Sequence, residues 1–136
     1  MKYRTERELN SEFLLKGGDY TSNKDVITRI ARLIPNKNIL ADLDKDKNIR
    51  YYTAYDIYDM VEAIGSGLIE MGLENKHIVI SAGNSVRYVL CDIAISGIGV
   101  ATPIDCDATP ELLTTLLNKC EADAIICDAS MLEKII

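Results

Sequence analysis

The fold is decided by residues 77–105, which read HIVISAGNSVRYVLCDIAISGIGVATPID. The apolar run His77–Ala82 predicts a strand, Ser85–Ser96 predicts a helix, and Val100–Ile104 predicts a second strand. Consecutive apolar residues such as Ile78-Val79-Ile80 are typical of strands that are covered on both faces. Two strands joined by a helix in this order predict parallel pairing through a right-handed crossover.

The same pattern continues toward the C-terminus. Pro110–Lys119 predicts a helix, Ala124–Cys127 predicts a third strand, and a last helix is predicted from Ser130. The helix Val86–Ile95 is apolar on nearly every side, so we expect it to be deeply buried. The predicted fold class is therefore α/β. A βα repeat forms three layers with a mainly parallel sheet, and an N-terminal helix and a β-hairpin precede it.

A helix, a hairpin and a capped helix are predicted before the repeat. The first helix covers Lys24–Leu33. Two β-prone runs, Asn38–Leu43 and Ile49–Tyr52, flank a polar tip and predict the hairpin. Thr53 can then cap a helix predicted over residues 54–71, with Asp56 completing a variant of the capping box.

The chain has 136 residues, which is the length of one domain. Within its first residues, Leu9, Phe13 and Leu14 predict a short helix that Gly17-Gly18 would end. The sequence divides into three parts: a polar lead at 1–22, a helix and hairpin at 23–53, and the βα repeat at 54–136.

Composition and charge argue against several classes of protein. The formal net charge of −6 argues against binding to nucleic acid, which needs a basic surface. No apolar run approaches the roughly 18 residues of a membrane span, so none is expected. The N-terminus has no apolar stretch of the kind found in secretory signals, and we therefore expect a cytoplasmic protein.

The cysteine spacing argues against a metal site. No two cysteines have CxxC spacing, and the single histidine is His77. We therefore predict buried, reduced thiols and no metal-binding residues. The candidate nucleophiles also lack a partner base. The cysteines are Cys91, Cys106, Cys120 and Cys127.

The acidic run at residues 42–48 has some features of two kinds of site. As a calcium loop it has Lys47 at the sixth position, where glycine is needed, and Thr53 at the twelfth, where a bidentate glutamate is needed. Asp42 could also be a nucleophile placed after a strand, but the strand before it is short. A solvated hairpin tip fits the run best, because Asp and Asn are turn formers.

Two glycine-containing loops are candidates for anion binding. Gly83-Asn84-Ser85 opens a helix after the first parallel strand, where phosphate can bind, but a helix cap at Asn84 or Ser85 is the simpler interpretation. Gly97-Ile98-Gly99 lies between a helix and a strand, which predicts a tight turn. The tyrosines at 51, 52, 55 and 58 predict packing contacts rather than stacking on bases in so acidic a chain.

From Tyr52 to Ile126, the order of motifs resembles the start of the adenylate-forming (AMP-binding) ligases. Thr53–Ile57 is similar to the family's Thr-Tyr-x-Glu-Leu motif, with Ala54 in place of the aromatic residue. Gly97–Asp105 is similar to its Ala-Gly-x-x-x-x-Pro-Leu-Asp motif, and its Gly-x-Gly form favours members like the fatty acyl-CoA synthetases. Further segments with family-like sequence are Gly67–Leu73, Asn84–Tyr88, Thr109–Leu112 and Ala122–Ile126.

The resemblance implies a parent enzyme that activates a carboxylate with ATP and Mg²⁺ and passes the acyl group to coenzyme A. The family's catalytic segments, including a glycine-rich loop with a lysine, have no counterpart in residues 1–136. We therefore expect this segment to be an inactive scaffold with no catalytic, cofactor-binding or metal-binding residues. Its partner would be the remainder of the parent enzyme, and apolar surface left exposed would favour a homodimer of the segment.

The alternative is a stand-alone, non-catalytic βα module with a regulatory or interaction role. Asp105 follows the second parallel strand and could be a phosphoacceptor. Such a site needs further acids at the ends of neighbouring strands, and Ala82-Gly83 at the end of the first strand supplies none. The fold alone does not distinguish a ligase scaffold from a stand-alone module.

Overall fold

A computed structural model describes residues 21–136. The predicted short helix around Leu9 and Phe13 lies outside the described residues. A 3₁₀ turn at Ala129–Met131 precedes the last helix. The helices and strands, in chain order, are α1 (Asn23–Leu33), β1 (Asn38–Leu43), β2 (Ile49–Thr53), α2 (Ala54–Glu70), β3 (His77–Ser81), α3 (Val86–Ile98), β4 (Val100–Pro103), α4 (Pro110–Lys119), β5 (Ala124–Cys127) and α5 (Leu132–Ile135).

The three strands of the βα repeat form one parallel sheet in the order β4-β3-β5. His77 pairs with Val100 on one side of β3, and Ile78 pairs with Ala124 on the other. Because β3 is the central strand, Ile78 and Ile80 are fully buried. The predicted parallel pairing is confirmed, with strand boundaries within one residue of the expected positions.

Helices cover both faces of this sheet. Across the sheet, β4 lies on one side of β3 and β5 lies on the other, so the two connections run in opposite directions. Because both crossovers are right-handed, α3 and α4 lie on opposite faces of the sheet. Ile95 of α3 packs in a cluster with Ile78 and Ile80. Leu113 of α4 packs with Ile125, which belongs to the opposite face of β5. The predicted three-layer α/β fold is therefore confirmed.

The N-terminal helices begin at capping boxes. Ser22 accepts a hydrogen bond from the Asp25 amide, and Thr53 accepts one from the Asp56 amide, as the sequence predicts for Thr53. Each aspartate carboxylate accepts in return from the amide of its cap residue. Hydrogen bonds from Thr21 and from Thr53, respectively, lower the pKa values of Asp25 and Asp56. Both carboxylates are thus held in the charged form that favours a helix N-terminus.

Within residues 21–136, the hairpin packs on the helical layer through one face. Leu43 pairs with Ile49 in the antiparallel ladder, next to the tip. Leu40 and Tyr52 pack against the buried cluster around Ile57. Because side chains alternate across a strand, Leu43, Ile49 and Tyr51 are exposed on the other face.

Two expectations need correction. Val86, Leu90 and Ala94 of α3 are buried, but Val89 is exposed because the described residues leave that flank of the helix uncovered. The helix predicted from Ser130 is present as α5 but begins at Leu132, after a 3₁₀ turn at Ala129–Met131. So short a segment is typically 3₁₀ because the tighter turn needs fewer residues.

Candidate functional site

A cleft opens at the carboxyl ends of β3 and β4. The loop after β3 leads to α3 and the loop after β4 leads to α4, so the two loops depart to opposite faces of the sheet. In open α/β sheets, ligands bind in the crevice at such a switch point. The cleft has a volume of about 310 Å³. Its walls include apolar Pro103 and Ile104 and polar Asn84 and Asp105.

On the β3 side, the predicted anion nest already holds a carboxylate. Oδ2 of Asp128 accepts a hydrogen bond of 2.8 Å from the Gly83 amide. Ser85 caps α3 by accepting from the Tyr88 amide, which confirms the helix-cap interpretation. A phosphate that bound the Gly83 amide would have to displace the Asp128 carboxylate. The negative charges of the phosphate and of Asp128 would then repel each other at short distance.

The contact of Asp128 with Gly83 was not predicted from the sequence. Asp128 directly follows β5, and 45 positions separate it from Gly83. The signal in the sequence was an acid at the end of a strand predicted to lie in the same sheet. Since β4 and β5 flank β3, the ends that precede Asp105 and Asp128 lie about two strand spacings apart, roughly 10 Å. Asp128 bonds to the loop after the central strand, whereas the carboxylate of Asp105 bonds within its own loop.

On the β4 side, three neighbouring residues form a small acidic cluster. Ligand atoms of Asp105, Cys106 and Asp107 lie within 4.8 Å of one another. The carboxylate of Asp105 accepts from the Asp107 amide at 2.9 Å, which makes an Asx turn at the end of the strand. The carbonyl oxygen of Cys106 accepts from Lys134 Nζ at 3.2 Å. These contacts stabilise the loop that joins β4 to α4, and they explain why the three side chains lie together.

The acidic run in the hairpin is a structural feature. Arg50 donates two hydrogen bonds of 2.9 Å to the carboxylate of Asp42, and Tyr52 adds a third. The guanidinium lowers the pKa of Asp42. At the tip, Asp44 accepts from the amides of Asp46 and Asn48. The solvated tip is confirmed, because the carboxylates bind their own hairpin.

His77 fixes the opposite, amino-terminal edge of the sheet. Its amide donates to the Asp123 carboxylate at 2.8 Å. Its ring Nδ1 lies 2.9 Å from the carbonyl oxygen of Cys120, which can only accept a hydrogen bond. This geometry ties β3 to the turn that precedes β5, so the imidazole acts as a structural contact.

The four cysteines are free thiols, as predicted, but each is only partly buried. Burial raises the pKa of Cys91 and so disfavours its thiolate. The tyrosines make packing contacts: the rings of Tyr55 and Tyr58 are tilted with centroids 6.5 Å apart, and Arg50 lies over Tyr52. Among residues 21–136, no helix is both long enough and apolar enough to span a membrane.

Gly99 shows why the turn between α3 and β4 contains glycine. A Cβ atom on Gly99 would lie 2.5 Å from the carbonyl oxygen of Lys76, a distance that atoms do not adopt. The same oxygen accepts from the Val100 amide at 3.0 Å, which starts the pairing of β4 with β3. The predicted tight turn is confirmed, and its glycine permits a close approach of two backbones.

Several solved structures have a similar fold. An anthranilate CoA ligase in complex with anthranoyl-AMP superposes with a TM-score of 0.74 and 21% identity, over 86% of this chain and 22% of the ligase. A long-chain-fatty-acid-CoA ligase from Archaeoglobus fulgidus gives 0.71 and 20%, over 85% of this chain and 24% of the ligase.

A third solved structure is the N-terminal subdomain of Klebsiella oxytoca NpsA bound to 3-hydroxyanthranilyl-AMSN. Its TM-score is 0.72 at 17% identity, over 83% of this chain and 28% of the subdomain. The chain thus spans about a quarter of the length of the structures it matches. No curated protein matches the chain by sequence.

The family assignment rests on most of the chain. A family model described as AMP-binding enzyme matches residues 28–136, which include the hairpin, all three parallel strands and the cleft. The Thr53 cap, the Gly99 turn and the strand-ending Pro103 occupy the positions of the motifs that resemble this family. The chain belongs to the AMP-binding, adenylate-forming enzyme family.

Proposed function

We propose that this chain supplies part of the scaffold of an ATP-dependent, AMP-forming acid–thiol ligase. The observation that carries the proposal is the parallel sheet β4-β3-β5 with helices on both faces, in the range that the family model matches. Two solved structures of similar fold are CoA ligases by name, one acting on anthranilate and one on long-chain fatty acids. An acyl-CoA synthetase of the cytoplasm, where ATP and coenzyme A are available, fits these similarities.

The reaction proposed for the whole enzyme has two steps. A carboxylate oxygen attacks the α-phosphorus of ATP, an acyl-adenylate forms, and pyrophosphate leaves. The thiol of coenzyme A then attacks the acyl carbon, and AMP leaves. Mg²⁺ would neutralise part of the charge on the phosphates, and positioning and electrostatic stabilisation would lower the barrier of the first step.

Within such an enzyme, we assign residues 21–136 a scaffolding role. The described cleft does not fit a triphosphate, because the Asp128 carboxylate occupies the Gly83 amide and Asp105 lines the opposite wall. A bare helix N-terminus contributes about 0.3–1 kcal/mol to anion binding. Micromolar affinity needs about 8 kcal/mol. Catalytic groups would therefore come from other parts of the enzyme.

Calorimetry with Mg-ATP and carboxylate-dependent release of pyrophosphate test the proposal. The chain of 136 residues should be silent in both assays, whereas the product of a longer reading frame through Ile136 should be active in both. Asp128→Ala is the matched variant, since it frees the Gly83 amide and should still leave ATP binding undetectable. Micromolar binding by the 136-residue chain would overturn the scaffolding role. A longer product without ligase activity would overturn the ligase assignment.

We also propose that the isolated chain self-associates. The exposed face of the hairpin carries Leu43, Ile49 and Tyr51, and contiguous apolar surface of this kind marks contact sites. Light scattering should show a mass above that of a 15.1 kDa monomer at high concentration. The hairpin variant Leu43→Asp should reduce it. A monomer at every concentration would contradict this proposal.

A further inference from the structure

A second concave surface lies at the amino-terminal end of α1, away from the cleft. Here the first turn of α1, the end of α2 and the turn between α3 and β4 form a groove of about 510 Å³. We call it the N-terminal groove and define it by Lys24, Ile69, Glu74, Ile98 and Val100. Ile69 is 44% exposed and Val100 is 48% exposed, so the described residues leave its apolar wall open to water.

Lys24 forms the edge of this groove. Its ammonium group pairs with Glu62 at 2.8 Å. Its aliphatic stem passes so close to Gly97 that a Cβ there would lie 3.0 Å from Lys24 Cδ. Beneath it is a smaller cavity of about 70 Å³, whose walls include Val61 and Ala94. Glu62 and Ser66 also line this smaller cavity, so its walls combine apolar and polar side chains.

The described chain begins beside the N-terminal groove. Both the amide and the hydroxyl of Thr21 donate to the Asp25 carboxylate, at 3.0 and 2.7 Å. Thr21 also lines an adjoining cavity of about 460 Å³ together with Val26 and Ser96. Ser96 precedes Gly97, which lines the groove itself. The residues that come before Thr21 therefore join the described part of the chain close to an open apolar surface.

Those preceding residues contain an apolar stripe of suitable size. Leu9, Phe13 and Leu14 are spaced so that one face of a helix would carry all three, and Phe13 is the single phenylalanine of the chain. Leu14 precedes Thr21 by seven positions, which can span up to roughly 23 Å. Gly17-Gly18 lies within that stretch and permits a reversal of direction.

Two other occupants are less well supported. The exposed hairpin face lies beyond the other end of α1, whose 11 residues add about 16 Å to the path. A second copy of the chain would need about 800 Å² from each partner for a stable interface, and the exposed apolar side chains of the groove, Ile69 and Val100, offer far less. An intramolecular segment needs no such area, because it is tethered and present at high effective concentration.

We propose that residues 9–14 dock intramolecularly in the N-terminal groove, with Phe13 against Ile69 and Val100. The contact would cover apolar surface at the junction of α1, α2 and β4 and join the polar lead to the βα repeat. It adds an intramolecular interaction surface to the scaffold and is independent of ligase activity.

Fluorescence of a Phe13→Trp variant tests the proposal, since the full chain has no tryptophan of its own. A docked indole should emit at shorter wavelength than free tryptophan and should resist quenching by iodide. Adding Ile69→Asp should shift the emission toward that of solvated indole and raise the quenching constant severalfold. Val100→Lys is a second groove variant in case the first impairs folding, and circular dichroism checks both. Leu43→Asp, on the hairpin face, is the matched control and should change neither quantity.

Each contrary outcome overturns docking in this groove. A solvated indole in the Phe13→Trp variant shows that the segment does not dock. Sensitivity to Leu43→Asp instead of Ile69→Asp places the segment on the hairpin. Protection that disappears on dilution identifies a second copy as the occupant.

Discussion

The central strand β3 and the hairpin strand β2 contain similar β-forming residues but differ in what covers them. Ile80 in β3 is 0% exposed, whereas Ile49 in β2 is 57% exposed. β3 has a hydrogen-bonded neighbour on each side and helices on both faces. The hairpin has two strands, and the described residues cover one of its faces. An apolar side chain therefore contributes to stability according to its place in the topology, even where its local sequence predicts the same strand.

The largest expected effect comes from truncating an isoleucine in each strand. Ile80→Ala should lower the free energy of unfolding by about 2–5 kcal/mol, because it removes buried methyl groups and leaves a cavity. At concentrations low enough for the chain to be monomeric, Ile49→Ala should change it by less than about 0.5 kcal/mol, as is usual for surface positions. Urea denaturation of both variants measures the difference. Equal losses would mean that the hairpin face is buried in solution, which would break the comparison.

Glycine substitutions extend the comparison to backbone packing. Gly99→Ala should destabilise the chain by about 1–3 kcal/mol, because its Cβ would clash with the Lys76 carbonyl where β4 meets β3. Gly67, in α2, has open space around the position of a Cβ. Gly67→Ala should therefore stabilise the chain by about 0.5–1 kcal/mol through its higher helix propensity. The midpoints of thermal unfolding should move in opposite directions, and a shift of the same sign in both variants would contradict this account.

The capping residue between the hairpin and α2 should have a smaller effect. Thr53→Ala removes the acceptor for the Asp56 amide and should cost about 0.5–2 kcal/mol. Thr53→Ser keeps the hydroxyl and should cost less, so it is the matched control. Chemical denaturation distinguishes the two. If serine and alanine are equally destabilising, the methyl group of Thr53 matters more than its hydrogen bond.

The smallest effect concerns pH and should be confined to the hairpin. Arg50 holds the pKa of Asp42 below its ordinary value of about 3.9, so the contact stabilises the hairpin above that pH. The stabilisation is lost as the pH falls through the lower, folded-state pKa. Hydrogen bonds from the amides of Asn48 and Asp46 lower the pKa of Asp44 as well, so its contribution is lost over the same acidic range.

Hydrogen exchange, corrected for intrinsic rates, can locate this loss. Amides of β1 and β2 should lose protection in acid while the Ile80 amide in β3 keeps it. In an Asp42→Asn variant, the hairpin should be less protected at neutral pH and should lose less on acidification. A simultaneous loss in both sheets would show that they unfold as one unit.

Local sequence patterns alone predicted the elements of this fold. Strands β3 and β5, helix α4 and the Thr53 cap were each predicted within about one residue, because apolar periodicity and capping involve residues a few positions apart. The parallel arrangement also followed from the sequence, since alternating strands and helices leave few other topologies. The motifs that resemble the family lie at the same turns and caps, so the family could be named from the sequence as well.

Only the tertiary structure decided what these elements contact. The strand order β4-β3-β5 brings Asp128 to the Gly83 amide, and that contact turns a potential anion site into an occupied one. It also brings Lys76 against Gly99 and leaves Val89 of α3 exposed. These outcomes depend on how distant parts of the chain converge. Local patterns fix the conformation of each segment, but they carry no information about which partner, if any, will cover a given side chain.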